Sequence, residues 1–134
     1  MKVLIDTGPL VALINRRDAF HSWSLSQADQ LKPPFFTCEA VISEAHFLLG
    51  GIPMGCERLI RLVNSGHLDL SYSYAEHADR VGELMIQYKN IPMSFADACL
   101  VSMTELQAGR VFTVDNDFRI YRRNGNKAID VLLP

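Results

Sequence analysis

The sequence predicts an α/β fold in which helices cover both faces of a mainly parallel sheet of four to five strands. Short apolar runs of strand length alternate with longer segments of helical spacing. Strands separated in this way pair in parallel through right-handed crossovers. The chain has 134 residues, 49% of them hydrophobic, and shows no repeat, low-complexity segment or linker. We therefore expect residues 1–134 to form one domain, a three-layer α/β/α sandwich with a substantial core.

Five short apolar runs predict the strands. The first run, VLI, is rich in branched residues and is stopped by the turn-forming residues DTGP. The last two runs, VFTV and IDVLL, are similar, although the final one is a weaker signal. The predicted strands lie at 3–5, 35–36, 68–71, 111–114 and 129–133.

Six segments between these runs predict helices. Pro9 fits the first turn of the helix after the first strand. Thr37 can cap the third helix and Ser94 the sixth, and Gly50 and Gly51 close the third. The predicted helices begin at Thr7 or Gly8 and then lie at 18–31, 38–49, 56–65, 75–88 and 94–106.

Composition and cysteine usage narrow the class of protein. Thirteen basic and fifteen acidic residues give a formal charge of −2, which argues neither for nor against a nucleic-acid partner. The three cysteines include no C-x-x-C pair, which argues against a disulfide framework or a zinc finger. Asp6 interrupts the apolar N-terminal run, and no stretch reaches the roughly 18 apolar residues of a membrane span. We therefore expect a cytoplasmic protein.

Four acidic residues each end or interrupt an apolar pattern. Asp6 closes the first predicted strand and Asp115 the fourth, so both should lie at the carboxyl edge of the sheet, where ligands usually bind. Glu44 and Asp97 share the apolar faces of their predicted helices. Asp117 is a candidate fifth member of this set.

Each of these acids also has a structural interpretation. Asp6 can cap a helix, and Asp97 follows Ser94 by three residues, as in a capping box. Asp115 and Asp117 can be ordinary loop residues, and Glu44 can extend to solvent. These interpretations are weaker for the set than for its members, because two of the acids are expected at one edge of the sheet and two on helix faces that point inward.

Convergence of these acids would require a cation. Two carboxylates about 4 Å apart repel each other by about 4 kcal/mol at an effective dielectric constant near 20. A divalent ion relieves that repulsion, and all-oxygen ligation favours Mg²⁺ or Mn²⁺ over zinc. An aspartyl-phosphate enzyme or receiver domain also gathers acids around Mg²⁺. However, Thr7 and Gly8 follow Asp6 in place of the D-x-D of such phosphatases, and no evident lysine follows a late strand.

The segments that carry these acids resemble the PIN-domain ribonucleases, and within them the VapC toxins of prokaryotic toxin–antitoxin pairs. LIDTGPLVAL matches the opening strand with Asp6, and ISEAHFLL carries the glutamate Glu44. SFADACLV carries Asp97, and FTVDNDF carries Asp115 with Asp117 as a frequent extra acid. The ordered match spans nearly the whole chain. Polar supporting positions of the family are matched by Thr7, Ser94 and Thr113.

The resemblance implies a PIN-like fold and Mg²⁺-dependent endoribonuclease activity. Asp6, Asp97 and Asp115 would bind the metal directly or through water, and Glu44 would position the attacking water or help to hold a second ion. It also implies a homodimer and a VapB-like antitoxin that silences the site. A catalytically idle RNA-binding PIN domain is the remaining alternative within the family.

Basic residues near the end of the chain can follow an RNA backbone beside the site. A solvated charged face explains each of them equally well, and Tyr121 among them can stack on a base or pack in the core. The candidate RNA-binding residues are Arg119, Arg122 and Arg123, with Arg110 and Lys127 nearby.

Overall fold

The computed structural model describes all 134 residues and contains a five-stranded parallel sheet flanked by six α-helices. The strands are β1 (Lys2–Ile5), β2 (Phe35–Phe36), β3 (Leu68–Asp69), β4 (Gly109–Phe112), β5 (Arg122–Arg123), β6 (Lys127–Ala128) and β7 (Asp130–Leu132). The helices are α1 (Thr7–Ile14), α2 (His21–Gln30), α3 (Glu39–Leu49), α4 (Gly55–Asn64), α5 (Tyr74–Gln87) and α6 (Phe95–Leu106). The predicted fold class is confirmed.

The strand order of the main sheet is β3-β2-β1-β4-β7, with every pair parallel. Strand β1 lies at the centre, where Leu4 is opposite Phe36 on one side and Val111 on the other. On one side of β1 lie β2 and then β3, in chain order. On the other side lie β4 and then β7. The order of the sheet therefore reverses between β1 and β4, which is where α/β proteins open a crevice for ligands.

The core lies between this sheet and the helices. Leu4, Ile5, Val111 and Phe112 of the central strands are fully buried. Helix α6 is buried at every residue from Ala96 to Thr104, as expected for a helix with apolar or small side chains on all its faces. Helix α1 packs on α2 and α3, and α5 packs on α6. None of the six helices is long and apolar enough to cross a membrane.

The fourth strand lies two residues earlier than predicted. It spans Gly109–Phe112 and not 111–114, because Gly109 and Arg110 extend the ladder along Lys2 and Val3. A Cβ atom at Gly109 would lie 2.6 Å from Leu4 Cδ1 and 3.1 Å from the Lys2 carbonyl oxygen, so a larger residue here would force the buried Leu4 side chain to shift. Asp115 consequently lies in the loop after β4 and does not close the strand itself.

Two further local features differ from expectation. Thr37 does not cap α3: Cys38 takes the N-cap position, and the Thr37 hydroxyl donates a hydrogen bond to the Ile5 carbonyl at 2.9 Å. The β5–β6 antiparallel ribbon was not predicted, and its turn places Asn124 and Gly125 at φ 49° and 89°. Asn-Gly favours turns of this kind.

Candidate active site

The reversal point of the sheet positions two of the predicted acids. Asp6 follows β1 directly, and its N–H continues the ladder to the Phe112 carbonyl at 3.0 Å. Thr113 follows β4 on the neighbouring strand, and Asp115 comes two residues later. Asp6 and Thr113 are both buried. The carboxyl ends of β1 and β4 therefore form the floor of the candidate site.

Two threonines, Thr7 and Thr113, connect Glu44, Asp6 and Asp115 in one chain of hydrogen bonds. The Thr7 hydroxyl donates to Glu44 Oε2 at 2.7 Å, and the Thr7 N–H donates to Asp6 Oδ1 at 2.8 Å. The Thr113 hydroxyl donates to Asp6 Oδ2 at 2.7 Å and accepts from the Asp115 N–H at 3.0 Å. Helix α3, helix α1 and the loop after β4 are thus brought together at one point.

Asp97 reaches the same region from the first turn of α6. The helix begins after Ser94, whose hydroxyl accepts a hydrogen bond from the Asp97 N–H at 3.0 Å. The Asp97 side chain points inward and accepts a hydrogen bond at Oδ2 from the Tyr121 hydroxyl at 2.9 Å. Only 8% of Asp97 is exposed. A carboxylate at this depth needs hydrogen-bond donors or a cation to be stable in its charged form.

Several of these acids also have the structural roles that the sequence allowed. Asp6 is the N-cap of α1, and Ser94 caps α6 through the Asp97 N–H. Asp115 caps a short 3-10 helix (Asn116–Arg119) by accepting from the Asp117 N–H at 2.9 Å. Glu44 is exposed, although Thr7 holds one of its oxygens. Because a cap occupies only part of a carboxylate, a capping role is compatible with a second role in binding.

The electrostatics of the site favour a cation. Burial raises the pKa of Asp6 from its ordinary value to about 7, with the charges of Asp97 and Asp115 adding to the effect and the hydrogen bonds from Thr113 and Thr7 opposing it. Burial and then the Asp115 charge raise the pKa of Asp97, against the hydrogen bond from Tyr121. Partial burial and the Asp115 charge also raise the pKa of Asp117. Each acid therefore lies within the field of another.

The donor set fits a hard divalent ion that keeps part of its water shell. All the side chains concerned offer oxygen, which Mg²⁺ prefers. In the present arrangement, no three His, Cys, Asp or Glu side chains are placed so that they could hold an ion together. Mg²⁺ commonly binds proteins through one or two carboxylates, with waters completing its octahedron. A hard divalent ion at this place would therefore be held by one or two of these carboxylates, with water completing its shell.

The candidate RNA-binding arginines are placed in three different ways. Arg119 is exposed at the end of the 3-10 helix. Arg122 donates from one nitrogen to the carbonyls of Arg119, Ile120 and Tyr121, and so supports the turn. Arg123 is half-buried, and its Nε has no hydrogen-bond partner. Arg119 is therefore the one of the three that is most open to a ligand.

Sequence reasoning did not find the contact between Tyr121 and Asp97. For Tyr121, the sequence predicts base stacking or core packing. The available signal was a tyrosine at a core position, because a buried phenol usually needs a hydrogen-bond partner. The partner lies 24 positions away in sequence, and only the fold brings the two together.

A separate apolar cleft of about 510 Å³ lies on the side of α1, α2 and α4. Apolar side chains form most of its lining, and Arg58, Arg61 and His67 also contribute to it. None of these three side chains forms a salt bridge. A smaller hollow that shares Ile14 and Arg58 with the cleft adds Arg16 and Arg17. This face therefore combines an apolar surface with unpaired positive charge.

Comparisons with known proteins agree with this architecture. A search among curated proteins finds no match to the chain. Among solved structures, the chain is similar to VapC20 of Mycobacterium tuberculosis, described as a sarcin-ricin loop cleaving toxin, with a TM-score of 0.78 and 18% sequence identity. The similarity covers 87% of this chain and 92% of VapC20, and at this identity it concerns the fold. The PIN domain family model matches residues 3–124, and the chain therefore belongs to the PIN domain family.

Proposed function

We propose that this protein is a Mg²⁺-dependent endoribonuclease and the toxin of a VapBC-type pair. One observation carries the proposal: Thr7 and Thr113 link Asp6, Glu44 and Asp115 at the reversal point of the sheet, and the charge of Asp97 acts on Asp6 from helix α6. Structural roles alone do not explain why three mutually repelling carboxylates are held together in a partly buried place. A cation and a phosphodiester substrate explain it.

Each acid has a specific role in this proposal. Asp6, Asp97 and Asp115 hold Mg²⁺ directly or through water. When bound, the ion supplies a contact for a scissile phosphate oxygen and lowers the pKa of a water for in-line attack. Glu44 accepts a hydrogen bond from the attacking water with the oxygen that Thr7 does not occupy, or helps to hold a second ion. Thr113 keeps Asp6 oriented, and Asp117 adds negative charge at the edge of the site.

RNA is the proposed substrate, and Arg119 is the proposed first contact with its backbone. The guanidinium is exposed and lies on the 3-10 helix that Asp115 caps, so it is close in the chain to the acids. A phosphate contact of this kind contributes affinity without sequence preference and weakens with salt.

The unpaired arginines along the apolar cleft support a protein partner, which we propose is the antitoxin. An amphipathic segment with acidic residues would match both the apolar lining and the positive charge of Arg58 and Arg61.

We also propose that the toxin is a homodimer and that residues 1–134 act as a single domain. The pairing of β7 supports a single domain: β7 follows the residues matched by the PIN family model, 3–124, and still pairs with β4 of the main sheet.

The test of the chemistry is cleavage of RNA by the purified protein in Mg²⁺ or in EDTA, beside a phosphatase substrate. We expect RNA cleavage in Mg²⁺ only, and loss of cleavage in Asp6→Asn. Asp130→Asn is the matched control, because Asp130 is a half-exposed carboxylate at the start of β7 that forms a surface ion pair with Arg110 and contacts none of the four acids. Full activity in Asp6→Asn, with host nuclease excluded, would contradict the proposal.

The same assay separates the alternatives. Binding of RNA without cleavage would indicate an idle RNA-binding PIN domain, and hydrolysis of the phosphatase substrate would indicate an aspartyl-phosphate enzyme. For the toxin role, we expect expression of the protein alone to arrest growth and co-expression with its antitoxin to relieve the arrest. Harmless expression of the active protein in its native host would contradict the toxin role.

A further inference from the structure

Tyr121 occupies a rigid position against one of the proposed metal ligands. Its side chain is fully buried, and its hydroxyl donates to Asp97 Oδ2 at 2.9 Å. The ring packs edge-on against Tyr88 and Phe118, with ring centroids 5.1 Å and 5.3 Å away. Because the side chain is buried and two rings pack against it, rotation of the phenol away from Asp97 would disrupt this packing.

The loop that carries Asp115 also positions Tyr121. Asp115 caps the 3-10 helix, and the Tyr121 N–H then donates to the Asp117 carbonyl at 3.1 Å. The guanidinium of Arg122 closes the end of this turn by donating to the Tyr121 carbonyl at 3.1 Å. The segment 115–121 therefore positions both Asp115 and the Tyr121 hydroxyl, and this hydroxyl in turn holds Asp97 of helix α6.

We propose that Tyr121 is a positioning residue. It restricts Asp97 to binding a metal ion through one oxygen, and it thereby favours Mg²⁺ over Ca²⁺. The inference rests on the proposed function, because it assumes that Asp97 binds a divalent ion. The phenol engages Oδ2, so Oδ1, on the side of Ser94, is the oxygen that Tyr121 leaves to the ion. Mg²⁺ requires near-octahedral geometry at about 2.0–2.1 Å, whereas Ca²⁺ accepts bidentate carboxylates at about 2.3–2.6 Å. A hydrogen bond at Oδ2 competes with bidentate binding, which Ca²⁺ can use, and leaves the single-oxygen binding that suits Mg²⁺.

Tyr88 provides a matched control for this role. Its ring belongs to the same aromatic cluster, and its hydroxyl accepts a hydrogen bond from the Arg122 N–H at 3.0 Å. The rings of Tyr88 and Tyr121 are neighbours, and replacing either residue with phenylalanine removes one hydroxyl and the hydrogen bond that it forms. Only Tyr121 contacts a carboxylate of the site.

The experiment measures Mg²⁺ and Ca²⁺ affinity of the wild type and of both variants by calorimetric titration, with thermal melts in EDTA to confirm folding. Loss of a group that orients a metal ligand typically lowers metal affinity by about 10–100-fold. We expect Tyr121→Phe to lower Mg²⁺ affinity by about tenfold relative to Ca²⁺ affinity, and Tyr88→Phe to leave the ratio unchanged. An unchanged ratio in Tyr121→Phe, or an equal change in both variants, would overturn the role of Tyr121. Absence of metal binding by the wild type would instead contradict the proposed function on which this role depends.

A second measurement does not depend on the folding of any variant. In crystals of the wild type grown with Mn²⁺, we expect Asp97 to bind the ion through one oxygen, with the Tyr121 hydroxyl on the other. Bidentate binding by Asp97, or a Tyr121 hydroxyl withdrawn from it, would overturn the proposal while leaving the metal site itself intact.

Discussion

Replacing Asp6 with asparagine should stabilise the metal-free protein at neutral and basic pH, although the same change removes activity. Only 6% of Asp6 is exposed. Its pKa in the folded protein is raised to about 7, mainly by burial and further by the Asp97 and Asp115 charges, whereas in the unfolded chain it returns to its ordinary value of 3.8. The folded state therefore holds this proton more tightly than the unfolded state does.

The sign and size of the effect follow from these two pKa values. A raised pKa gives a contribution to stability that is complete below about pH 4 and is lost as the pH rises to 7. The interval of about 3 pH units corresponds to about 4 kcal/mol of unfolding free energy. Asparagine cannot ionise, but its amide nitrogen replaces the oxygen that accepts from Thr113, which costs about 1 kcal/mol. Asp6→Asn should therefore be about 3 kcal/mol more stable than wild type at pH 8, or roughly 10 °C in melting temperature for a chain of this length.

The assay is thermal and urea unfolding between pH 4 and pH 8 in EDTA, with Asp130→Asn as a control for the same substitution at an exposed site. We expect the difference between Asp6→Asn and wild type to increase with pH and to reverse sign slightly near pH 4. Added Mg²⁺ at pH 8 should stabilise the wild type and not the variant. A difference that stays constant across this pH range would refute the reasoning, because it would show that Asp6 ionises normally in the folded protein.

Three further predictions concern other carboxylates. Mg²⁺ at a hundredfold excess over the dissociation constant should add about 2.7 kcal/mol to the unfolding free energy of the wild type and so raise its melting temperature. Asp97→Asn should respond much less; an equal response would show that Asp97 does not face the ion. Glu44→Gln should abolish RNA cleavage and change the unfolding free energy by no more than about 0.5 kcal/mol, because Glu44 is exposed; retained cleavage would contradict its role. Glu105 accepts from Arg80 at 2.8 and 2.9 Å and from the Asn124 N–H, so Glu105→Gln should cost about 1–2 kcal/mol at neutral pH. Because these contacts lower the pKa of Glu105, its stabilisation is lost as the pH falls, and urea unfolding should show a smaller deficit at pH 3 than at pH 7.

The elements of the fold could be predicted because each carries a local signal. The apolar runs at β1, β2 and β3 and the cap at Ser94 are found where their patterns indicate. The start of β4 was misplaced because Gly109 has low strand propensity, and both Gly109 and Arg110 are held in the strand by pairing with β1. The Asn-Gly turn of the β5–β6 ribbon was a local signal that the sequence reading overlooked.

The candidate site was partly predictable for a similar reason. Asp6 and Asp97 could be identified because each interrupts an apolar pattern. The hydrogen bonds that organise the site could not be identified, since Thr7 and Glu44 lie 37 positions apart, Thr113 and Asp6 107, and Tyr121 and Asp97 24. Such pairs depend on strand order and helix packing, which no local pattern encodes.

The most direct test of the central claim is the location of Mn²⁺ by anomalous diffraction from crystals of the wild-type protein. If the acids at the carboxyl edge of β1 and β4 are a metal centre, an ion should lie among Asp6, Asp97 and Asp115, with Glu44 beside it. The same peak should be absent in crystals of Asp97→Asn. A wild-type crystal at saturating Mn²⁺ with no peak at this edge, or with peaks only elsewhere, would contradict the account.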